Sequence, residues 1–301
     1  MTEQTGTKTL ENNNPSVFRR YGSQMGIIGV GLFIWLAFIF AAPDVFTDYR
    51  IYAAFAQTTP QFGIIALALT FVVITGEMDL SFPSIMALGT AIFCLLVKAH
   101  IFWPVALMFA FFTGVVCGFI NGYLVAKLTI PSLVVTIGTS FLYRGLELVL
   151  MSGTGVPLTE DMYPEMHALL RLPLFDFPIQ TLWMILFAIL FAILLNRTKF
   201  GAHVFLVGDN PVSARLMGIN VVRVKILSFV LVGVVSVFGG TGSILGSFVA
   251  SYIVGAINAG IVSAGINAFY TQLCFGLVII ISVVLQTIID RKVRKQSITS
   301  N

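Results

Sequence analysis

The sequence predicts an all-α polytopic membrane protein of about eight to nine transmembrane helices. Three observations carry that prediction. Only 10% of the 301 residues are charged, while 57% are hydrophobic. Soluble domains carry about a quarter charged residues, so this chain cannot clothe a water-facing surface. Apolar runs of about 20 residues recur along it, the length at which a helix crosses a bilayer. Basic residues gather in the stretches between runs, as they do on the cytoplasmic side of membrane proteins. The net charge of +4 therefore marks sidedness and gives no reason to expect a nucleic-acid partner.

Taken in order, residues 1–24 are polar, carry Arg19 and Arg20, and read as a cytoplasmic tail. The first apolar run lacks a small-residue cleavage site and reads as a span, not a signal peptide. A membrane domain covers 25–289, and residues 290–301 form a basic tail. Within the domain the apolar runs are 25–42, 54–75, 84–99, 103–126, 131–151, 178–196, 226–240, 243–264 and 267–289. Counting from an inside N-terminus puts Lys127 inside. The loop 152–177 falls outside, with Glu160, Asp161, Glu165 and Asp176 against one Arg171. The stretch 197–225 falls inside with its five Lys or Arg. Nine crossings would leave Arg291, Lys292, Arg294 and Lys295 outside, against the charge rule. The expectation is eight crossings: 226–240 begins one long, kinked crossing that continues through 243–264, and the tail lies inside.

A weak internal repeat crosses this region. "GVVCGFING" sets Gly114, Gly118 and Gly122 at four-residue spacing with Asn121 beside the last. "SYIVGAINA" sets Ser251, Gly255 and Ala259 at the same spacing with Asn258 in the matching place. Small residues on one face let helices approach closely. The cysteines, Cys94, Cys117 and Cys274, stand singly in apolar runs without metal spacing, so they read as small buried hydrophobes, and no metal or other cofactor is expected. GxxxxGK[ST], HExxH and GxSxG are all absent from the sequence, so nothing suggests a bound nucleotide or an enzyme.

Four stretches carry candidate functional residues. In "GDNPVSARLMGI", Asp209 or Asn210 can cap a helix that starts at Pro211 and ends at Gly218, giving two turns in a cytoplasmic loop. Its bases could simply hold it to lipid phosphates. In "TGEMDLSFPS", Glu77 and Asp79 lie between apolar runs; they either simply mark a short cytoplasmic turn or line a pathway, and Asp79 either caps a helix at a structural break or meets substrate. Thr136 and Thr139, with Asn121, suit a polar path. Arg144 and Glu147 stand at i,i+3 and can pair on one helix face.

The stretch "RTKFG…VGDNPVSARLMGINVVRVK" resembles the cytoplasmic loop of the ribose-type sugar permeases of bacterial ABC importers, in the branched-chain amino acid/ribose permease superfamily. The match runs through Thr198, Phe200, Gly201, Gly208, Asn210, Pro211, Ala214, Arg215, Gly218 and Ile219; Val212-Ser213 replace the usual Glu-Ala. Gly76, Asp79, Leu80, Ser81 and Ser84 match the family's GGxDLSxGS, with Glu77 in place of Gly and Phe82-Pro83 in place of an apolar-Gly pair. Asn121, Gly122, Ile130, Pro131, Val135, Thr136, Gly138, Thr139, Arg144 and Gly145 extend it. The resemblance covers about 55–290.

That resemblance implies an inner-membrane permease for a monosaccharide of the ribose, xylose or galactose kind. It implies a second permease (the same chain or a related one), cytoplasmic ABC ATPase subunits and a periplasmic sugar-binding protein as partners, with lipid around them. The ATPase would dock on Gly208, Asp209, Asn210, Pro211, Ser213, Ala214, Arg215 and Gly218. Asp79, Ser81, Asn121, Thr136, Thr139 and Asn258 would line the pathway. After Gly240 the family carries a further span, so this chain lacks one span around residue 240 relative to it. Two other readings stay open: a secondary transporter using Glu77 and Asp79 as an ion site, and an internally deleted, inactive permease.

Overall fold

The computed structural model describes residues 43–153 and 179–237, with scattered positions between 29 and 40. The tails 1–24 and 290–301, the runs 243–264 and 267–289, Asn258 and the second small-residue series at Ser251, Gly255 and Ala259 lie outside the described residues. Among the described residues every regular element is a helix: α1 (Pro43–Phe46), α2 (Tyr49–Ile74), α3 (Phe82–Lys98), α4 (Trp103–Ala126), α5 (Ser132–Leu150), α6 (Ile179–Arg197), α7 (Lys199–Asp209), α8 (Pro211–Leu216) and α9 (Val221–Ser236). Three stretches, Trp103–Ala126, Ser132–Leu150 and Gln180–Arg197, are long and apolar enough to cross a membrane. The protein is a helical membrane protein.

Helix starts follow local chemistry. Asp48 caps α2 by accepting from the Arg50 N–H at 2.9 Å. Pro83 and Pro104 sit in the first turns of α3 and α4. A missing N–H costs nothing there, because those donors have no intrahelical partner. Pro60 is different, for it lies inside α2 and cannot donate to the carbonyl one turn back. The Thr181 hydroxyl of α6 donates to that Ala56 carbonyl at 2.6 Å, so a neighbouring helix satisfies the group the proline abandons.

The main core joins α2, α6, α7 and α9. Phe71 is central to it. Its ring stacks on Phe200 of α7 (centroids 5.8 Å apart) and meets Phe191 of α6 edge-on at 5.9 Å. The short loop helices are thus anchored in the same core as the long ones.

A second interface is built of backbone. The α4 glycines face α9. A side chain at Gly114 would strike the Gly233 carbonyl, and one at Gly118 the Phe229 carbonyl. At Gly122 it would come within 2.8 Å of the Ile226 Cα. Rising numbers on α4 meet falling numbers on α9, so the two helices are antiparallel, and Lys127 and Arg223 lie at the same end. Two boundaries differ from the sequence reading by five residues. α2 starts at Tyr49 instead of 54, and α9 starts at Val221 instead of 226. In α9, Arg223 and Lys225 break the apolar pattern, but the Asn220 side chain caps the helix by accepting from the Arg223 N–H at 2.9 Å.

Candidate functional site

Between α2 and α3 the chain turns through residues 75–81, where Gly76 has φ +81°. Asp79 and Ser81 are buried there. Asp79 Oδ1 accepts from the Ser81 N–H at 2.8 Å and the Ser81 hydroxyl at 2.6 Å. This is a local turn of the kind aspartate forms with the backbone two residues on. The N-cap of α3 is Ser81, not Asp79. Asn121 of α4 donates through Nδ2 to Ser81 Oγ at 2.7 Å. Asn121 Oδ1 lies 3.0 Å from the Tyr143 hydroxyl of α5, which is also 3.2 Å from the Cys117 carbonyl. One chain of hydrogen bonds therefore runs from the loop through α4 to α5. Burial pushes the Asp79 carboxyl above its ordinary value, against the opposing bonds from Ser81 and Asn121.

The loop is held from two further directions. The Met78 N–H donates to Ser132 Oγ at 3.1 Å, at the start of α5. Lys225 of α9 donates to Glu77 in a largely buried ion pair. Ser84 and Ser140 bring their hydroxyls within 3.1 Å across α3 and α5. Thr136 and Thr139 are buried, but their hydroxyls return to carbonyls of their own helix, at Ser132 (2.8 Å) and Thr136 (3.4 Å). The structure thus joins Asp79, Ser81 and Asn121 directly and leaves Thr136 and Thr139 beside them on α5. Arg144 and Glu147 pair at 3.2 Å. Tyr143, Ser132 and Lys225 belong to this constellation and were absent from the candidates. Their partners lie 22 to 148 residues away along the chain.

The second candidate region is the basic stretch. Asn210 Oδ1 accepts from the N–H groups of Val212 (2.9 Å) and Ser213 (3.0 Å), and Pro211 opens α8. The helix closes with Gly218 at φ +82°; its N–H donates to Arg215 O at 2.9 Å, and the Ile219 N–H to Ala214 O at 3.0 Å. That pairing satisfies carbonyls a helix end would leave open, and it requires the left-handed residue that glycine supplies. Asp209, Asn210, Pro211, Ser213 and Arg215 are exposed, whereas Ala214 is buried at the foot of the helix. The face turned away from the core carries apolar side chains: Val212 is 65% exposed, Met217 66% and Leu216 86%.

α7 leads into α8 and was not foreseen. Thr198 caps it, accepting from the Gly201 N–H at 3.2 Å. At its far end Gly208 lies against the Ile74 carbonyl, where any side chain would collide. The basic stretch therefore touches the end of α2, three residues before the Glu77 that Lys225 holds.

The family model of the branched-chain amino acid transport system permease component matches residues 51–236. The chain belongs to this family. Among its relatives, the fructose import permease protein of Rhizobium meliloti is 29% identical over 277 residues, covering 77% of this chain and 75% of that protein. The ribose import permease protein of Bacillus subtilis is 27% identical over 271 residues, covering 76% and 81%. A probable ABC transporter permease protein of Escherichia coli is 27% identical over 312 residues, covering 92% and 93%. No solved structure matches the chain. Like these relatives, the chain is a permease component.

Proposed function

We propose that this chain is the membrane-spanning permease subunit of a bacterial ABC importer, carrying a monosaccharide of the ribose, xylose or galactose kind across the inner membrane. Relatives named for fructose, ribose and L-arabinose support the sugar class. The observation that carries the reading is α8, a helix fixed at both ends by its own chemistry that turns Val212, Leu216 and Met217 outward. In this reading a cytoplasmic ATPase subunit covers that face, with Gly208, Asp209, Asn210, Pro211, Ser213, Ala214, Arg215 and Gly218 shaping the contact. A second permease and a periplasmic binding protein complete the assembly.

The mechanism follows from contact. Movement of α8 reaches α7, whose Gly208 abuts the end of α2. It reaches α9, whose Lys225 grips Glu77. Both meet the loop 75–81, where Asp79, Ser81 and Asn121 tie that loop to α4 and α5. The pathway beside Thr136 and Thr139 would then open on one side or the other as the two arrangements exchange. A secondary transporter driven through Glu77 and Asp79 is less well supported, because Glu77 is held by Lys225 and the basic stretch with its capped α8 has no purpose in such a carrier, although Asp79 Oδ2 is buried without a partner. Cysteine placed at Ser213 should cross-link to the ATPase in the assembled complex. An assembled complex in which no such cross-link forms overturns the coupling assignment.

The missing span is part of this reading. Against the Escherichia coli relative, 312 aligned columns take in 92% of the 301 residues, about 277, so about 35 columns lie opposite gaps in this chain. Against the Rhizobium relative, 277 columns take in 77%, about 232 residues, leaving about 45. The L-arabinose permease of Azospirillum brasilense aligns over 219 columns with 72% of the chain, about 217 residues and almost without gaps, but over only 63% of itself. The differences from the Escherichia coli and Rhizobium relatives support residues missing from this chain relative to them, which the sequence reading places near residue 240. Eight crossings and an inside tail rest instead on the basic tail and on 226–240 opening one long, kinked crossing; a lost span by itself would leave nine crossings and the tail outside. A single cysteine at position 298, with the three native cysteines replaced, should resist a membrane-impermeant thiol reagent in outer-membrane-permeabilised cells. Labelling there would mean nine crossings. It would also favour an inactive, deleted permease.

A further inference from the structure

Where α4 ends and α9 begins, a groove of about 440 Å³ opens between the two helices. Its walls are Phe119, Ile226, Leu227 and Val230, and its mouth holds Lys127 and Arg223. Phe119 and Leu227 are 50% and 42% exposed, so the groove faces outward and not into the core. Lys127 and Arg223 make no ion pair among the described residues, whereas Lys225, two positions on, is committed to Glu77. Two exposed cations thus stand over an apolar slot that runs about 10 Å along α9, from Arg223 to Val230.

That combination selects its occupant. A sugar would find one neutral polar side chain in the lining, Asn220, and its Oδ1 already accepts from the Arg223 N–H. A free anion would use the cations and leave the apolar slot empty. A molecule with an anionic head and an aliphatic chain satisfies both ends. Basic pockets between transmembrane helices on the cytoplasmic side suit acidic lipid head groups. We infer that the groove is a site for an anionic phospholipid of the cytoplasmic leaflet, its phosphate between Lys127 and Arg223 and one acyl chain along Phe119, Ile226, Leu227 and Val230. The leaflet assignment rests on the proposed topology, in which the basic stretch faces the cytoplasm; the binding chemistry does not depend on transport. Because the same α9 carries Lys225, the lipid would sit on the helix that grips the loop.

Native mass spectrometry of the intact permease, with phosphatidylglycerol or phosphatidylcholine added, tests this directly and without the ATPase. Phosphatidylglycerol should be retained in preference. Replacing both cations, Lys127→Gln with Arg223→Gln, should lower its retention on the order of twenty-fold, from about five-fold per basic residue. Exchanging them, Lys127→Arg with Arg223→Lys, should preserve it, which separates charge from folding. Val230→Trp fills the slot and should weaken binding with both charges in place. Equal retention of the two lipids, or retention unchanged by the double Gln variant, overturns the site. So does displacement by millimolar inorganic phosphate, which would mark a simple anion site. The side of the membrane is read separately, by impermeant labelling of a cysteine at Ser213; a wrong side there corrects the leaflet and leaves the lipid result standing.

Discussion

Helix α4 shows two kinds of contact on one rod. Toward α9 it offers Gly114, Gly118 and Gly122, and backbone meets backbone with no room for a methyl group. Toward the 75–81 loop and α5 it offers Asn121, fully buried and bonded to Ser81 and Tyr143. Asn121 and Gly122 are neighbours in sequence. The first contact is specified by absence of side chain, and any addition breaks it. The second is specified by partners, and what matters is whether each donor and acceptor stays paired. In a membrane there is little hydrophobic drive to bring helices together, so close packing and hydrogen bonds must do it. This helix uses one on each face.

The comparison is broken most severely at the glycine face. Gly118→Leu puts a branched side chain into the Phe229 and Val230 backbone, which cannot move aside as a side-chain tip can. We expect a cost of at least about 3 kcal/mol and loss of folded protein from the membrane fraction, read by size-exclusion chromatography of detergent extracts. A variant that elutes and melts like the wild type would show that the two helices do not meet there. At the polar face, Asn121→Ala removes the bonds to Ser81 and Tyr143, whose hydroxyls keep Asp79 and the Cys117 carbonyl, and leaves a small void, for about 2–4 kcal/mol. Tyr143→Phe removes one donor and should cost about half as much in the same thermal melts; an equal loss for both would deny that the bonds form a chain.

How much of this was legible in the sequence depends on distance along the chain. The helix after Asn210 could be read because capping is local: Asn210, Pro211 and Gly218 are its own start and stop signals. α7 used the same grammar through Thr198, but Thr198 had been read only as part of a motif. The start of α9 was hidden by Arg223 and Lys225, which look like loop charges until Asn220 is recognised as a cap. The polar constellation was half visible. Asp79 and Asn121 stood out as polar residues among apolar ones, and Ser81 came with the motif match. Tyr143 did not, because an aromatic in an apolar run is ordinary, and only packing shows where its hydroxyl ends. No local pattern links Glu77 to Lys225.

Two smaller tests sharpen the comparison. The Glu77–Lys225 pair is largely buried, so a double-mutant cycle through Glu77→Gln and Lys225→Met should give a coupling of about 1 kcal/mol, above the value for exposed pairs. A coupling of zero would release the loop from α9. Gly138 on α5 would meet nothing within 4 Å if given a side chain. Gly138→Ala should therefore be neutral, or raise stability by up to about 1 kcal/mol through helix propensity, in melts of the purified protein. A destabilised Gly138→Ala would place an unseen neighbour on that face.

Pro60 gives α2 a property that neither face of α4 has. A continuous helix resists bending along its whole length, whereas one whose backbone bonds lapse at a single turn has a compliant joint between two stiff arms. The inner arm ends at Ile74, against Gly208. The outer arm carries Ala56, and the hydroxyl that completes its bonding belongs to α6. The joint is therefore fitted with a tether: any bend there would carry the Ala56 carbonyl against the Thr181 hydroxyl, and so would reach α6.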